Sequence, residues 1–255
     1  MRILFNLFVL FFFMCGVCFS EEVNFIHITD IDLNTKNAYK LQETIKEINS
    51  YPDIDFVVFG GNNIEKPNFQ NLDTFLYLTK KVNKKCYVLL GSSDVSSKNG
   101  ITKDYYLKRV RRALFFRHNK KPNYVFEKKG YVFIAMDGSK QYFQSSNGYY
   151  GKEELAWLEK QLKKYNNKNI VILQHFPLLE TKSKWIETPK KEEYLQLLSK
   201  YKNVKMIVSG HYGNNYETEN DGIYHIITES YSKNSAYKII KIDSEDDFIG
   251  TYLIK

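Results

Sequence analysis

Five short apolar runs in this chain each stop at a small polar motif. They are Phe25-Ile26-His27-Ile28-Thr29-Asp30-Ile31-Asp32, Phe56-Val57-Val58-Phe59-Gly60-Gly61-Asn62, Tyr87-Val88-Leu89-Leu90-Gly91-Ser92-Ser93-Asp94, Ile170-Val171-Ile172-Leu173-Gln174-His175 and Met206-Ile207-Val208-Ser209-Gly210-His211-Tyr212-Gly213. Continuous apolar runs of this length, separated by helix-like stretches, predict strands buried on both faces of a sheet. In such sheets the carboxyl ends of the strands open into a common crevice where ligands sit. Each motif falls just past the end of its run, so Asp30, Asp32, Asn62, Ser92, His175 and His211 are expected to converge. Gly60-Gly61, Gly91 and Gly210 suit a backbone that turns sharply beside a pocket.

Between the runs the spacing turns helical. Ala38, Leu41, Ile45 and Ile48 mark one helix; Phe69, Leu72, Phe75, Leu76 and Val82, opened by Pro67, a second; Tyr106, Leu107, Val110 and Leu114 a third. Leu155, Trp157, Leu158 and Leu162 belong to a fourth, and Pro189 begins a fifth that carries Tyr194, Leu195, Leu197 and Leu198. Residues 123–127 and 131–136 flank Lys128-Lys129-Gly130 and read as a hairpin, and the tail contributes strands at 223–228, 237–242 and 248–254. No linker and no internal repeat interrupts this pattern, which predicts one layered α/β domain with mixed sheet over residues 21–255.

Residues 1–20 differ from the rest. Arg2 precedes an apolar run from Ile3 to Phe19 that ends at Cys18-Phe19-Ser20, which predicts a secretory signal peptide and an exported mature chain. The alternative is an uncleaved N-terminal membrane anchor, and contact with a membrane is expected in that case alone. Cleavage would remove Cys15 and Cys18 and leave Cys86, in an apolar run, as a buried small hydrophobe without a disulfide partner. The chain carries a net charge of +8, with concentrated runs such as Lys108-Arg109-Val110-Arg111-Arg112. Charge of that sign favours anionic partners, but no nucleic-acid motif accompanies it, and no specific nucleic-acid binding is expected.

The ordered set of motifs resembles the calcineurin-like metallophosphoesterases, whose pattern is D-x-H, G-D, G-N-H-D/E, a lone His, and G-H-x-H. The likeness extends to the hairpin that ends at Asp137, to the helix around Trp157-Leu158-Glu159 and to His175-Phe176-Pro177-Leu178, and so covers essentially all of residues 23–255. It implies an α-β-β-α sandwich of two mixed sheets flanked by helices. It also implies two metal ions about 3.5 Å apart that grip a phosphate and a bridging hydroxide. Carried onto this chain, Asp30, His175 and His211 stand at intact ligand positions, and Asp32 replaces a histidine. Asn62 replaces the bridging aspartate, and a neutral amide cannot bind two cations together as a shared carboxylate does. Ser92 replaces the asparagine of G-N-H. Ser93 replaces the leaving-group acid and has no pKa near neutrality. Asp94 survives without the histidine it would orient, and Gly213 replaces the last histidine of G-H-x-H.

Two readings follow. In one, the chain keeps the fold as a binding module or pseudoenzyme with little or no phosphoester hydrolysis. Its partner is then a protein or a phosphorylated small molecule. In the other, Asp30, Asp32, His175 and His211 hold one divalent ion (Zn²⁺, Mn²⁺ or Fe²⁺) and support a reduced, mononuclear hydrolase. A dinuclear centre is expected in neither. His27 and His225 are expected to be packed rather than ligating, and His118 exposed.

Overall fold

The computed structural model describes residues 22–115, 120–142, 145–179, 188–243 and 248–255. The proposed leader and His118 therefore lie outside the described residues. Among the described residues the elements follow in the order β1 (Val23–Ile28), α1 (Ala38–Ser50), β2 (Phe56–Phe59), α2 (Phe69–Thr79), β3 (Lys85–Val88), α3 (Lys103–Ala113), β4 (Tyr124–Lys128), β5 (Tyr131–Met136), α4 (Lys152–Lys164), β6 (Ile170–Gln174), α5 (Lys191–Leu198), β7 (Val204–Ser209), β8 (Tyr216–Asn220), β9 (Ile223–Ile227), α6 (Tyr231–Asn234), β10 (Tyr237–Asp243) and β11 (Phe248–Ile254).

The strands form two mixed sheets, β11-β10-β1-β2-β3 and β4-β5-β6-β7-β9-β8. Within them β1-β2-β3 and β5-β6-β7-β9 run parallel. Alternation along each strand assigns its side chains to layers. Phe25 and Phe56 point into the space between the sheets, where they meet Phe133, Phe126 and Val208. Ile26, Ile28, Val57 and Phe59 point the other way, onto Leu41, Ile45, Phe75 and Val110 of the first three helices. Val132, Ile134, Ile170 and Ile172 cover the far face of the second sheet against Leu158, Leu162, Tyr194 and Leu198 of α4 and α5. The layers thus read α-β-β-α, as the resemblance implies.

A cluster of aromatic rings packs between the sheets. Phe56 stacks on Phe25 at 5.0 Å and meets Phe133 edge-on at 5.1 Å, while Phe126 stacks on Phe133 at 4.9 Å. Pairs of this geometry add about 0.5–1.5 kcal/mol each beyond the area they bury.

Several details differ from the sequence pattern. Pro67 lies before the cap of α2, not in its first turn; Asn68 caps that helix by accepting from Asn71 N–H. Helix α5 begins at Lys191 after Lys190 in the left-handed region, two residues later than Pro189 suggested. Strand β8 has no apolar pattern to announce it: its sequence is Tyr-Glu-Thr-Glu-Asn, at the edge of the second sheet. Cys86 is buried as expected, and burial pushes its thiol up to about 12.

Candidate metal centre

The ends of β1, β2, β6 and β7 meet at one point of the upper rim. Asp30 N–H donates to Gly61 O (3.0 Å), Asp32 N–H to Asn62 O (2.9 Å) and Gly210 N–H to His175 O (3.0 Å), so backbone bonds bind these loops together. Asp30, Asp32, Asn62 and His211 all have positive φ, between 47° and 65°. Non-glycine residues adopt this region at a cost and gather where a site over-determines the backbone. The glycines serve mainly close approach: a Cβ at Gly91 would lie 2.3 Å from the Asn62 side chain, and one at Gly210 2.1 Å from Thr29 Oγ1.

At the centre, one ligand atom each from Asp30, His175 and His211 lies within 4.8 Å of the others. His175 is fully buried, and its Nδ1 sits 2.8 Å from Gly60 O. A carbonyl oxygen only accepts, so Nδ1 carries the proton and Nε2 presents its lone pair inward. That Nε2 lies 3.8 Å from Asp30 Oδ1 and has no hydrogen-bond partner among the described residues. Both ring nitrogens of His211 are likewise buried without a well-formed hydrogen bond. Burial lowers both histidines to about 4, and for His211 the neighbouring His175 adds to the effect. Both rings are therefore neutral and basic-faced near pH 7, as metal ligands must be.

Asp30 accepts from Thr29 Oγ1 (3.0 Å) and His211 N–H (2.8 Å) on Oδ2, and from Asn62 Nδ2 (3.0 Å) on Oδ1. Burial raises its pKa, against the pull of His211 and these hydrogen bonds. Two donors fill Oδ2, while Oδ1 keeps a lone pair on the side of His175. Atoms that ligate one zinc at about 2.1 Å in tetrahedral geometry stand roughly 3.4 Å apart, so this wider donor set would draw in by a few tenths of an ångström or more to hold one ion.

The orientation of the Asn62 amide follows from its neighbours. Ser93 N–H lies 3.0 Å from Oδ1 and can only donate, which directs the amide nitrogen toward Asp30. Ser92 Oγ (3.3 Å) also donates to Oδ1. The residue at the bridging position therefore points a donor at the carboxylate and has its own oxygen engaged.

Asp32 stands outside the three-residue group. Its Oδ2 accepts from Ser232 Oγ at 2.9 Å, and burial raises it to about 6. Segment 230–233, which the sequence pattern does not single out, reaches across this side. Tyr231 N–H donates to Thr29 O (3.0 Å), Ser232 N–H to Asp30 O (2.9 Å), and Lys233 Nζ to Gly213 O (3.2 Å). A Cβ on residue 213 would come within 2.6 Å of that ammonium. Asp94 plays a structural part. It accepts Asn63, Ile64 and Gly91 N–H at 2.7–3.1 Å and knits the β2 and β3 loops, while burial raises it to about 7. Ser93 Oγ donates to Ile64 O at 2.6 Å. His27, bonded to Thr228 Oγ1 at 2.8 Å, and His225 are buried outside the group.

With this arrangement in view, the comparisons assign the family. The model of the calcineurin-like phosphoesterases matches residues 23–213, and the chain belongs to that family. It is 27% identical over 177 residues to a probable glycerophosphodiester phosphodiesterase GpdQ of Arcobacter nitrofigilis; the match covers 67% of this chain and 61% of the relative's length. Among solved structures, a dimetal phosphatase from Danio rerio superposes with a TM-score of 0.71 at 13% identity, covering 91% of this chain and 98% of its own. GAP50, described as the anchor in the inner membrane complex of Plasmodium, superposes at 0.57 and 14% identity, covering 92% and 89%. These likenesses show the shared fold. The family is metal-dependent, and among the described residues Asp30, His175 and His211 form a group that could hold an ion.

Proposed function

We infer that this chain is an exported member of the family whose two-metal centre has been dismantled, and that it serves as a binding module with little or no phosphoester hydrolysis. One observation carries the reading: the Asn62 amide donates to the carboxylate of Asp30, where a shared carboxylate would be needed to hold two cations. Hydrogen bonds within the protein thereby satisfy groups that metal ions satisfy in a dinuclear site. The side of Asp32 and Gly213 is closed by Ser232 and Lys233. Asp94 is fully engaged with backbone N–H groups, and Ser93 has no proton to give a leaving group near neutral pH. Export rests on the sequence of residues 1–20; among the described residues no helix is long and apolar enough to cross a membrane. GAP50, described as the anchor in the inner membrane complex of Plasmodium, shares this fold.

A second reading is favoured by the inward-facing Nε2 of His175, which has no partner among the described residues, and the loosely held ring of His211, both beside Asp30. A single Zn²⁺ or Mn²⁺ held there would supply Lewis-acid polarisation of a phosphate oxygen. Asp30 and the two neutral imidazoles would hold the ion, with Gly60 O fixing the tautomer of His175.

Hydrolysis of p-nitrophenyl phosphate and bis(p-nitrophenyl) phosphate with added Mn²⁺ or Zn²⁺ separates the two. The binding-module reading expects no turnover above an Asp30→Ala control. Metal-dependent turnover abolished by Asp30→Ala would replace it with the mononuclear hydrolase.

A further inference from the structure

The basic run of α3 is not used by the cleft, and the structure gives it a shape. Asp104, Lys108, Arg111 and Arg112 fall within a sector of about 100° on the helix. Together with Lys120, from the segment that leads into β4, they line a cavity of about 360 Å³. That volume lies within the roughly 300–1,000 Å³ usual for small-molecule sites. The adjacent flank of the same helix is internally balanced: Arg109 pairs with Asp73 and donates to the Tyr105 hydroxyl at 2.8 Å. Lys108, Arg112 and Lys120, by contrast, form no ion pair among the described residues.

Helix stability does not account for the cluster. Arg111 and Arg112 in the last turn complement the helix dipole, but Lys108 sits mid-helix and Lys120 belongs to another segment. Like charges at i, i+3 and i+4, as at 108, 111 and 112, destabilise a helix slightly. Converging cations around a concavity are therefore better explained by an anion that they hold.

We propose that this pocket binds a polyvalent phosphate anion, either soluble or carried on a lipid headgroup. Several separate cations call for a ligand with more than one negative charge. The Arg112 guanidinium favours tetrahedral phosphate oxygens, which accept its paired N–H donors. Asp104 confines the anion to the part of the groove bounded by Lys108, Arg112 and Lys120. The site is independent of Asp30, His175 and His211, so its occupancy does not depend on any metal.

The test uses the purified full chain in EDTA, titrated calorimetrically with inorganic tripolyphosphate. A second arm measures co-sedimentation with phosphatidylcholine vesicles, with and without phosphatidylinositol bisphosphate. Binding in either arm should fall at least tenfold in Lys108→Ala/Arg112→Ala, weaken steeply with salt, and be unchanged in Lys163→Ala, a lysine paired with Glu159 on α4. The arm that responds identifies the source of the phosphate. Failure to bind in both arms, or binding that survives the double substitution or is lost equally in Lys163→Ala, would overturn the proposal.

Discussion

The two sides of the candidate metal centre have different characters. On the side of Asp32 and Gly213, polar groups have partners from within the chain: Ser232 on Asp32, Lys233 on the Gly213 carbonyl, Asn62 on Asp30. On the other side, His175 Nε2 is buried with no hydrogen-bond partner among the described residues, and neither ring nitrogen of His211 makes a well-formed one, with the Ser146 backbone beside that ring. Buried polar groups are nearly always satisfied, and an exception calls for an explanation. On the reading proposed above, the contrast is what the loss of a metal site by replacement would leave behind. Hydrogen bonds within the chain then close the side of Asp32 and Gly213, while Asp30, His175 and His211 keep capacity for one ion.

The largest expected effect is at Asp30, which both sides share. Asp30→Ala strands the donors of Thr29, Asn62 and His211, and each buried donor left unpaired costs roughly 1–3 kcal/mol. A loss on the order of 3 kcal/mol in urea unfolding is expected, along with any measurable zinc affinity. A neutral outcome would mean that the network does not hold the rim.

Asn62→Asp should be next. It sets an acceptor against Asp30 Oδ1 where a donor now stands, so metal-free protein should lose about 2 kcal/mol. That corresponds to roughly 4–8 °C in melting temperature for a chain of this size. Added Zn²⁺ or Mn²⁺ should recover the loss in Asn62→Asp and shift the wild type less. Equal shifts in both would erase the distinction between the sides.

Gly213→His alone should not rebuild a second ion site. Its φ of +79° disfavours any side chain, and Lys233 Nζ occupies the space. It should cost about 1 kcal/mol, with no gain in metal affinity. Adding Lys233→Ala and Asn62→Asp should raise the number of bound ions, as read by metal analysis.

The smallest effect divides the sides by pH in metal-free protein. The pKa of Asp32, raised to about 6, favours the folded state when the carboxyl is protonated; that contribution is complete below the ordinary value of 3.8 and fades as pH rises through 6. His175 and His211, lowered to about 4, do the opposite: their contribution is complete above 6.5 and fades as pH falls through 4. Asp32→Asn should therefore stabilise by about 1 kcal/mol at pH 8 and by nothing at about pH 3.5, as followed by thermal melts.

Much of this is readable from the chain. The five apolar runs announce their strands because burial on both faces leaves few polar positions in them, and the residues just past them converge as the sheet rule requires. Helices α1, α3 and α4 follow from spacing alone. What cannot be read depends on distant partners. Nothing around Ser232 or Lys233 marks them as neighbours of Asp32 and Gly213, since the contacts form only once the loop after β9 folds back over β1. The partner of Asp32 is equally invisible locally: its spacing from Asp30 suits a shared metal, and nothing nearby in the chain points to the Ser232 hydroxyl that it accepts from. Strand β8 is silent in the sequence because an edge strand of alternating glutamates has no apolar face to display.

The central claim is that the cleft retains room for one cation and not for two. Equilibrium dialysis of EDTA-stripped protein against Zn²⁺ or Mn²⁺, followed by elemental analysis, should give at most one ion per chain, lost in His175→Ala and Asp30→Ala. Two ions per chain, both released by those substitutions, would contradict the account.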